Sequence, residues 1–549
     1  MKRRFVGQGA SPWRILLSVV AALAILATAC GSSGTAAGVD TGAVDEANAA
    51  AQAAQDEAAA LQAQLDEAQA ALDSAGDGGD DAALAEAQAA LEAAQADADA
   101  AAEAAAAAEE RAAMAEEDAA MAEEEAAAAA GGDGGQSINV AIVGNPNMEQ
   151  IAEVTPQFFT ADTGIEVNYS LLDEGTLREI TTRDLSAEGD AFDVVMIGMF
   201  EAPQFGANNW IFDLNTFANN DPEYDVDDLI PAVRNGLSSN GSLFAAPFYA
   251  ESSFLMYRAD IVADAGLTMP PAPTWDEVAE IARAIHTDEV SGICLRGLPG
   301  WGDLGASFTT VLNTFGGTWW SANEDGSIGE SQVDQAEFAE ALNFYVDLLN
   351  DAGQPDAANS SFPQCLGLYQ EGRTAMWYDA TVAASILEAD GSPVQGLSDF
   401  ALAPVNVTDN SGWLWSWALA IPASSTDPAL AWEYISWATS AQYHEQAASV
   451  FGWAAVPPGT RQSLYARPEY QEAAGNFAQR TLDAMLAAPI DNPGTTPRPG
   501  LPGVQFVGVP EFQDLGNRCT QELSAAIAGT QSVDDAIATC HIIAQEFES

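Results

Sequence analysis

Short apolar runs and amphipathic stretches alternate along the chain from residue 137 onward. The series begins with predicted strands at 138–143, 165–171 and 192–197, separated by predicted helices at 149–161 and 176–187. This order is typical of α/β proteins, in which helices pack on a sheet of buried strands. The stretch is also too long for a single hydrophobic core, which indicates more than one lobe.

The later part of the chain continues the pattern with longer helices. Thr274 and Glu277 form a capping box that begins a helix ending near residue 285. Apolar side chains spaced at a helical period predict two further helices at 335–349 and 428–438. A helix-rich tail follows, and a loop rich in proline and glycine at 493–502 interrupts it.

The first 30 residues have the organisation of an export signal. Basic residues from Lys2 to Arg4 precede an apolar run at 15–26, which is shorter than the about 20 residues needed to cross a bilayer. Small residues then lead to Cys30, in a pattern that resembles the lipobox of bacterial lipoproteins. We therefore expect residues 1–30 to be a lipoprotein signal peptide and Cys30 to carry the lipid. An ordinary signal peptide with an incidental cysteine is the alternative.

Residues 31–136 are rich in alanine and glutamate and lie outside the predicted α/β body. Alanine, glutamate and leucine are strong helix formers, so the segment is predicted to be an acidic helical stalk that lifts the body off the membrane. Pairs such as Leu65 and Leu72 lie seven residues apart, which is a weak coiled-coil pattern. A solvated, disordered tether is the alternative.

The charge balance limits the possible partners. The chain has 81 acidic and 17 basic side chains and a net charge of −64. Nucleic acid, anionic lipid headgroups and phosphorylated substrates would all be repelled by such a chain. The only lysine is Lys2, within the predicted signal. Adaptation to high salt and a GC-rich genome explain this composition equally well.

Candidate catalytic and metal-binding groups are sparse. The three histidines, His286, His444 and His541, are far apart in the sequence, and no Cys/His pair has the spacing of metal ligands. No nucleophile elbow, zinc-protease motif, phosphate-binding loop or dinucleotide fingerprint occurs. We therefore expect no catalytic residue, cofactor or metal, and the chain is predicted not to be an enzyme.

Four cysteines follow Cys30, and they are consistent with an oxidising compartment. They are Cys294, Cys365, Cys519 and Cys540, and four cysteines permit three pairings. Proximity in sequence favours a bond between Cys519 and Cys540, which leaves Cys294 for Cys365. Four unpaired, buried thiols are the alternative.

Aromatic residues mixed with isolated polar ones recur at predicted loop ends. These blocks are found at 247–253, 292–301, 376–381, 413–417 and 452–458. Carboxylates and guanidinium groups bind hydroxyls, and aromatic faces cover C–H surfaces, so such a mixture suits a polyhydroxylated ligand. Trp413, Trp415 and Trp417 alternate along one predicted strand and therefore share a face, which lies either in the core or at a pocket.

These blocks resemble those of the extracellular solute-binding proteins of sugar ABC transporters, and within them the sorbitol/mannitol-type polyol binders. The motifs that carry the resemblance include FYAESS, GICLRGLPGW, MWYDATVAA, WLWSWALAIPASS and GWAAVPPGTR. The resemblance implies a type II periplasmic-binding-protein fold, in which two α/β lobes joined by a hinge enclose an interlobe cleft. We expect lobe one at 137–249 plus 418–458 and lobe two at 250–417 plus 459–549. The hinge is then expected near 249–253 and 417–420.

Site residues are assigned by their physical roles. Arg296 lies in a loop bounded by glycine and proline and is expected to donate to ligand hydroxyls, although an ion pair with Glu251 or Asp379 that braces the hinge is the alternative. The expected acceptors are Glu251 and Asp379. The expected stacking residues are Trp301, Trp415 and Trp453, followed by Trp413 and Tyr378. Lobe one is expected to add Glu201 and Asn145. On this assignment, Arg296→Ala is expected to lower affinity at least about tenfold with little change in melting temperature.

The resemblance implies a function of capture and delivery. The chain is expected to be a monomer, held at the outer face of the cell membrane through its lipid alone, that binds a neutral polyol or sugar. It would deliver this ligand to the permease subunits of an ABC importer. Mannitol, sorbitol, arabitol and xylitol are equal candidates. A tethered polyol sensor for a signalling receptor and, less favoured, a surface glycan-acting enzyme are the alternatives.

Overall fold

A computed structural model describes residues 136–548 of the chain. The predicted signal peptide, the predicted lipidation site Cys30 and the predicted stalk up to residue 135 lie outside the described residues. No helix within residues 136–548 is long and apolar enough to cross a membrane.

The described residues form twelve strands and a larger number of helices. The strands are β1 (Ser137–Val143), β2 (Glu166–Leu172), β3 (Val194–Gly198), β4 (Ser238–Ser239), β5 (Ser242–Leu243), β6 (Ala246–Glu251), β7 (Ser253–Arg258), β8 (Trp320–Ala322), β9 (Ile328–Ser331), β10 (Met376–Ala380), β11 (Ser398–Leu402) and β12 (Trp415–Ala420). The α-helices are α1 (Pro146–Thr155), α2 (Ala161–Thr163), α3 (Glu174–Ser186), α4 (Glu201–Ala207), α5 (Asn215–Ala218), α6 (Pro231–Gly236), α7 (Ala259–Asp264), α8 (Trp275–Ile285), α9 (Leu304–Thr314), α10 (Ala336–Ala352), α11 (Phe362–Gln370), α12 (Ala383–Leu387), α13 (Pro428–Ala438), α14 (Ala441–Phe451), α15 (Gln462–Ala466), α16 (Pro468–Ala473), α17 (Ala478–Leu486), α18 (Glu511–Ile527) and α19 (Val533–Gln545).

The first sheet has five strands in the order β2-β1-β3-β12-β6. Strand β1 pairs in parallel with β2 and β3, whereas β12 runs antiparallel to both β3 and β6. Every residue of β3, β6 and β12 is buried. This is why these strands read as continuous apolar runs, since a strand that is covered on both faces has no polar alternation.

The second sheet has three antiparallel strands in the order β10-β7-β11. Strand β7 begins at Ser253, two residues after β6 ends at Glu251, so the chain passes from the first sheet to the second with Ser252 between them. The chain returns to the first sheet through β12. The ends of β6 and β12 therefore lie where the two sheets approach each other.

The strands and helices predicted between residues 138 and 197 are confirmed with small shifts at their ends. The predicted 149–161 helix begins earlier, at Pro146, because the Asn145 side chain accepts hydrogen bonds from the backbone of Asn147 and Met148 and caps it. It continues through a π-helical turn at Pro156–Thr160 and ends at Gly164, whose left-handed backbone (φ 76°) stops the helix.

The later helices are confirmed as well. Thr274 and Glu277 form both hydrogen bonds of the capping box, and α8 ends at Ile285. Helix α13 has the predicted bounds, and the tail consists of α17, α18 and α19 around an irregular loop. The mixed α/β fold class follows directly from these elements.

The cysteines agree with the prediction in part. Cys294 and Cys365 form a disulfide. The predicted Cys519–Cys540 bond is wrong for this structure, in which both cysteines are buried free thiols. They lie on the adjacent helices α18 and α19, and each thiol points at the other residue's backbone carbonyl, at 3.6 and 3.4 Å. The two cysteines are therefore close in space, as their nearness in sequence predicts, but their sulfur atoms are not bonded.

Candidate functional site

A cavity of about 320 Å³ lies where the two sheets meet, and it is lined by elements of both. Its volume is within the range of small-molecule sites. The walls come from the loop after β1, from helix α3, from the ends of β6, β10 and β12, and from the loops that carry Arg296 and Ser361. Polar and aromatic lining residues include Asn145, Glu174, Arg178, Tyr249, Glu251, Arg296, Trp301, Asp303, Ser361, Trp413, Trp415, Trp417 and Gln505.

Three tryptophans of one segment share the same face of the cavity. Trp413, Trp415 and Trp417 all line it, which confirms the prediction from their two-residue spacing and places that face at a pocket. The rings of Trp415 and Trp417 are 5.6 Å apart, and Trp301 lies edge-on to Trp415 at 6.2 Å. The neighbouring strand makes room with Gly198, where an added Cβ atom would lie 2.0 Å from the Trp415 ring.

Arg178 is the cation on the side of the first sheet. Its guanidinium lies over the Trp301 ring at 4.1 Å and over the Trp417 ring at 4.6 Å. It donates to Glu174, one helical turn earlier on α3, at 2.8 Å, and it also pairs with buried Glu201. Aromatic faces and two carboxylates therefore offset the cost of burying this charge.

Arg296 is the cation on the side of the second sheet. Cys294 pairs in parallel with Trp377 of β10, so two residues further on Arg296 lies beside Asp379. The guanidinium donates two hydrogen bonds to the Asp379 carboxylate, at 2.9 and 2.7 Å. A third bond, at 3.1 Å, goes to the carbonyl of Gly302. This bidentate geometry fixes the orientation of the arginine against the cavity.

Glu174 links the two arginine clusters. One carboxylate oxygen lies 2.8 Å from Arg178, and the other lies 3.7 Å from Arg296. Glu174 begins helix α3, which packs on the first sheet, whereas Arg296 belongs to the second. Gly302 is in contact with this carboxylate, since a Cβ atom added there would lie 2.4 Å from it. The approach of these groups therefore depends on how closely the two sheets come together.

Asp303 is a buried acid beside the Arg296 cluster. It accepts a hydrogen bond from Ser361 and lies 3.5 Å from Arg296. Burial and then the charge of Glu174 raise the pKa of Asp303 to about 7, against the opposing effect of Arg296. The cavity wall thus contains a carboxyl group that titrates near neutral pH.

Four polar atoms around this cavity have no hydrogen-bond partner within residues 136–548. They are the buried side-chain atoms Glu251 Oε2, Gln505 Oε1, Trp301 Nε1 and Trp413 Nε1. Two are acceptors and two are indole donors, so a molecule that carries several hydroxyls would satisfy both kinds. Leaving buried polar atoms unsatisfied is costly, and a bound ligand would remove that cost.

Glu251 is strongly perturbed by this environment. It is 5% exposed and ends β6 at the boundary between the two sheets. Burial raises the pKa of Glu251 well above its ordinary value. The carboxylates of Asp379 and Glu174 raise this pKa further, whereas the guanidinium of Arg296 lowers it. Tyr249 also has a raised pKa, because it is buried near Glu251, and its hydroxyl accepts a hydrogen bond from Asn145 at 3.2 Å.

The structure brings six of the ten residues assigned from the sequence to the cavity. They are Asn145, Glu251, Arg296, Trp301, Trp413 and Trp415. Asp379 and Glu201 lie behind the wall instead, because each is the buried partner of a cavity arginine. The expectation that they accept from the ligand is corrected accordingly. For Arg296, the ion pair with Asp379 that was considered as the alternative is present.

The other two assigned residues lie elsewhere. Tyr378 is fully buried, shares a hydrogen bond with Ser253 at 3.1 Å and packs on Trp275. Trp453 begins a 3₁₀ turn after Gly452 and lies under the guanidinium of Arg467 at 4.8 Å, outside the cavity. Both aromatic residues therefore have packing partners that the loop motifs did not reveal.

The sequence assignment missed several lining residues. Glu174 and Arg178 belong to an ordinary amphipathic helix, and Asp303 and Gln505 lie in irregular loops. A signal for the first pair was available. Arginine is scarce in this acidic body, and one that lies on the buried face of a helix, four residues after a glutamate, requires a special partner.

Two β-sheets with helices packed on them are joined where the chain passes from one sheet to the other, and a polar and aromatic cavity lies between them. This arrangement defines a two-lobe solute-binding protein of the type II periplasmic fold. The family model described as bacterial extracellular solute-binding protein matches residues 143–445. The chain belongs to this family, whose members act outside the cytoplasm. The relatives compared with it are solute-binding proteins and not enzymes.

Individual relatives agree with this classification. The chain is 38% identical to a mannitol-binding protein of Pseudomonas aeruginosa over 409 residues, which cover 74% of this chain and 91% of the relative. A solute-binding protein of Agrobacterium vitis solved with bound D-mannitol is 43% identical, covers 75% of this chain and 98% of its own, and has a TM-score of 0.72. A protein of Agrobacterium radiobacter solved with ribitol has a TM-score of 0.63 at 22% identity, which supports the fold alone.

Proposed function

We propose that this chain is the substrate-binding component of an ABC importer and captures a neutral polyol of the sorbitol, mannitol and arabitol class, or a related sugar. It binds the ligand in the cavity between the two sheets and delivers it to the permease subunits in the membrane. The observation that carries this proposal is the set of four buried, unpartnered polar atoms, counted among the described residues, on side chains that line one cavity. The names of the mannitol-binding relatives point to the same ligand class.

The lining chemistry suits an uncharged ligand with many hydroxyls. Each hydroxyl both donates and accepts, so it satisfies the acceptors Glu251 and Gln505 as well as the indole donors Trp301 and Trp413. The tryptophan faces cover the C–H edges of the carbon chain. Arg296 is already held by Asp379 and can offer only its remaining N–H groups, which orient a hydroxyl without needing an anion.

Capture requires that the two lobes close on the ligand. In our proposal lobe one contains the first sheet and lobe two the second, with hinges near 249–253 and 417–420. Residues 459–463 join lobe one, since the backbone of Ile230 donates to Thr460 and Arg461 donates to the Thr439 carbonyl. The contact of Glu174 with Arg296 joins the two sheets and would be lost if the lobes moved apart, and the ligand stabilises closure by adding contacts to both lobes.

The remaining parts of the proposal concern the N-terminal region. Lipid on Cys30 anchors the chain to the outer face of the cell membrane, and the Ala/Glu-rich segment 31–136 spaces the body from it. A lipid-anchored chain stays near the permease, which raises its effective concentration there. Metabolic labelling with an azido fatty acid tests the anchor. We expect label on the wild-type chain and none on the Cys30→Ala variant.

Isothermal titration calorimetry of the purified chain tests ligand binding. The panel contains D-mannitol, sorbitol, arabitol, xylitol, glucose and maltose. We expect at least one alditol to bind in the micromolar range and to raise the melting temperature, with recovery of unchanged ligand by chromatography. Absence of heat with every alditol and sugar, or chemical conversion of the ligand, would overturn the proposal.

A further inference from the structure

The cavity has more acidic groups than its two arginines neutralise. Four carboxylates, Asp173, Glu174, Glu251 and Asp303, belong to its wall, together with Arg178 and Arg296. Two more, Glu201 and Asp379, lie directly behind the arginines. Six acids thus lie around two bases at this site. Such a wall repels anions and attracts cations.

Neither arginine is free to hold an anionic ligand. Arg178 pairs with Glu174 and Glu201, and three tryptophan rings surround it. Arg296 gives two N–H groups to Asp379 and one to the Gly302 carbonyl. A ligand carboxylate would therefore have to compete with a buried, bidentate ion pair, while also lying near the other acids.

Glu251 is the acid with an open position. Its Oε2 atom is buried and has no hydrogen-bond partner in the described part of the chain, while the carboxyl group also accepts from the backbone N–H of Val382. No arginine is paired with Glu251 among residues 136–548, although Arg296 lies near it. A buried carboxyl with one unsatisfied oxygen is suited to receive a strong donor, and an ammonium group is the strongest available on a small polyol.

We propose that the cavity also takes linear polyols whose terminal carbon carries an ammonium group, with Glu251 receiving that group, and that it excludes the corresponding aldonate anions. This inference rests on the proposed function, because it assumes that a polyol chain lies in the same cavity. The proposed ligands are therefore neutral and cationic polyols, and anionic polyols are excluded.

The groups around Glu251 determine how binding depends on pH. Asp379, Glu174 and Arg296 face it, and the Tyr249 hydroxyl lies on the same strand. Together with burial they raise the pKa of Glu251, so this carboxyl keeps its proton to a higher pH than an exposed glutamate. An ammonium ligand needs the ionised form, so its affinity rises with pH until the ligand amine itself loses its proton.

Three ligands that differ at one carbon test the proposal. D-mannitol, 1-amino-1-deoxy-D-mannitol and D-mannonate share their carbon chain and present a hydroxyl, an ammonium and a carboxylate respectively. In calorimetry on the purified full chain at about pH 7, we expect the amine to bind at least as tightly as mannitol and mannonate to bind at least about a hundredfold more weakly. An amine that binds more than about tenfold more weakly than mannitol overturns the inference, as does mannonate binding equal to mannitol.

Glu251→Gln identifies the receiving group. We expect the ratio of amine to mannitol affinity to fall at least about tenfold, because the glutamine carbonyl can accept from the ammonium group but carries no charge to neutralise it. Glu388→Gln is the matched control, since Glu388 is also buried, has a raised pKa and leaves one oxygen without a partner in the described residues, but lies outside the cavity. The control should keep the wild-type ratio. An unchanged ratio in Glu251→Gln excludes Glu251 as the receiving group.

A pH series on the wild-type chain needs no variant to fold. Between about pH 5 and about pH 8, amine affinity should rise at least about fivefold while mannitol affinity stays within about twofold. Parallel or absent changes for the two ligands overturn the role of an ionised acid. If no member of the panel binds, the proposed function fails; if mannitol binds and the amine does not, only this inference fails.

Discussion

Two arginines face the same cavity from different sheets, and they are held in different ways. Arg296 donates two parallel hydrogen bonds to one fully buried carboxylate, Asp379, and the carboxylates of Asp303 and Glu174 lie farther away, at 3.5 and 3.7 Å. Arg178 divides its contacts between Glu174, Glu201 and the faces of tryptophan rings. The comparison shows that similar charges at one site are held differently: Arg296 has one bidentate carboxylate and two more distant ones, whereas Arg178 shares its contacts between two carboxylates and aromatic faces.

Removing the bidentate partner of Arg296 should have the largest effect. Asp379→Asn removes the bidentate carboxylate from buried Arg296 and leaves only the more distant Glu174 and Asp303, so we expect a loss of about 3 kcal/mol in the free energy of unfolding, measured by urea denaturation. The exposed pair of Glu371 with Arg373 provides a control, and Glu371→Gln should cost less than about 0.5 kcal/mol. A loss below about 1 kcal/mol for Asp379→Asn would show that the cavity side hydrates Arg296.

The corresponding change at the other arginine should cost less. Glu201→Gln removes one of two carboxylates from Arg178, while Glu174 and the stacked rings remain. We expect a loss of about 2 kcal/mol in the same urea experiment. A loss equal to that of Asp379→Asn would remove the difference between the two clusters.

The Arg296 cluster should also give the protein a distinctive pH dependence. Asp303 has a pKa near 7 when folded, above its value of about 4 in the unfolded chain, so the folded state binds the proton more tightly. Its contribution is therefore favourable at low pH and is lost as the pH rises through about 4 to about 7. Unfolding of wild type and Asp303→Asn across this range should show wild type losing stability relative to the variant. A difference that is constant with pH would contradict the assignment.

The smallest effect is expected where the two clusters meet. Gly302→Ala places a Cβ atom 2.4 Å from the Glu174 carboxylate and so hinders its approach to Arg296. We expect alditol affinity to fall about tenfold, equivalent to about 1.4 kcal/mol, with unfolding little changed. Gly367→Ala is the control, because no atom lies within 4 Å of a Cβ atom there. Equal affinities of the two variants would mean that closure does not need this contact.

The same two clusters illustrate what the sequence could predict. Arg296 and the alternating tryptophans were found because loop motifs and two-residue spacing are local features. Arg178 was missed, since its role depends on a helix packing against distant rings. Asp379 and Glu201 were assigned to the ligand, because the tertiary contacts that pair them with Arg296 and Arg178 leave no signal in the local sequence.

Knowledge of the ion pair also changes one expectation for stability. From the sequence, Arg296→Ala was expected to leave the melting temperature nearly unchanged. In the structure, removal of Arg296 leaves the fully buried Asp379 without its bidentate cation, so a loss of stability should accompany the loss of affinity. The fold class and most elements needed no such revision, because apolar periodicity over long segments already determines them.

The Cys294–Cys365 bond has a consequence for where the protein can mature. It crosslinks the Arg296 loop to helix α11, whose first residue, Phe362, lies under that guanidinium at 5.7 Å. Closing a loop with a sequence separation of 71 residues restricts the unfolded chain, an effect worth about 4 kcal/mol. Such bonds form in oxidising compartments. A chain retained in the cytosol would therefore fold the Arg296 side of the cavity without the Cys294–Cys365 disulfide. Export would then complete the folding of the binding site as well as change the location of the protein.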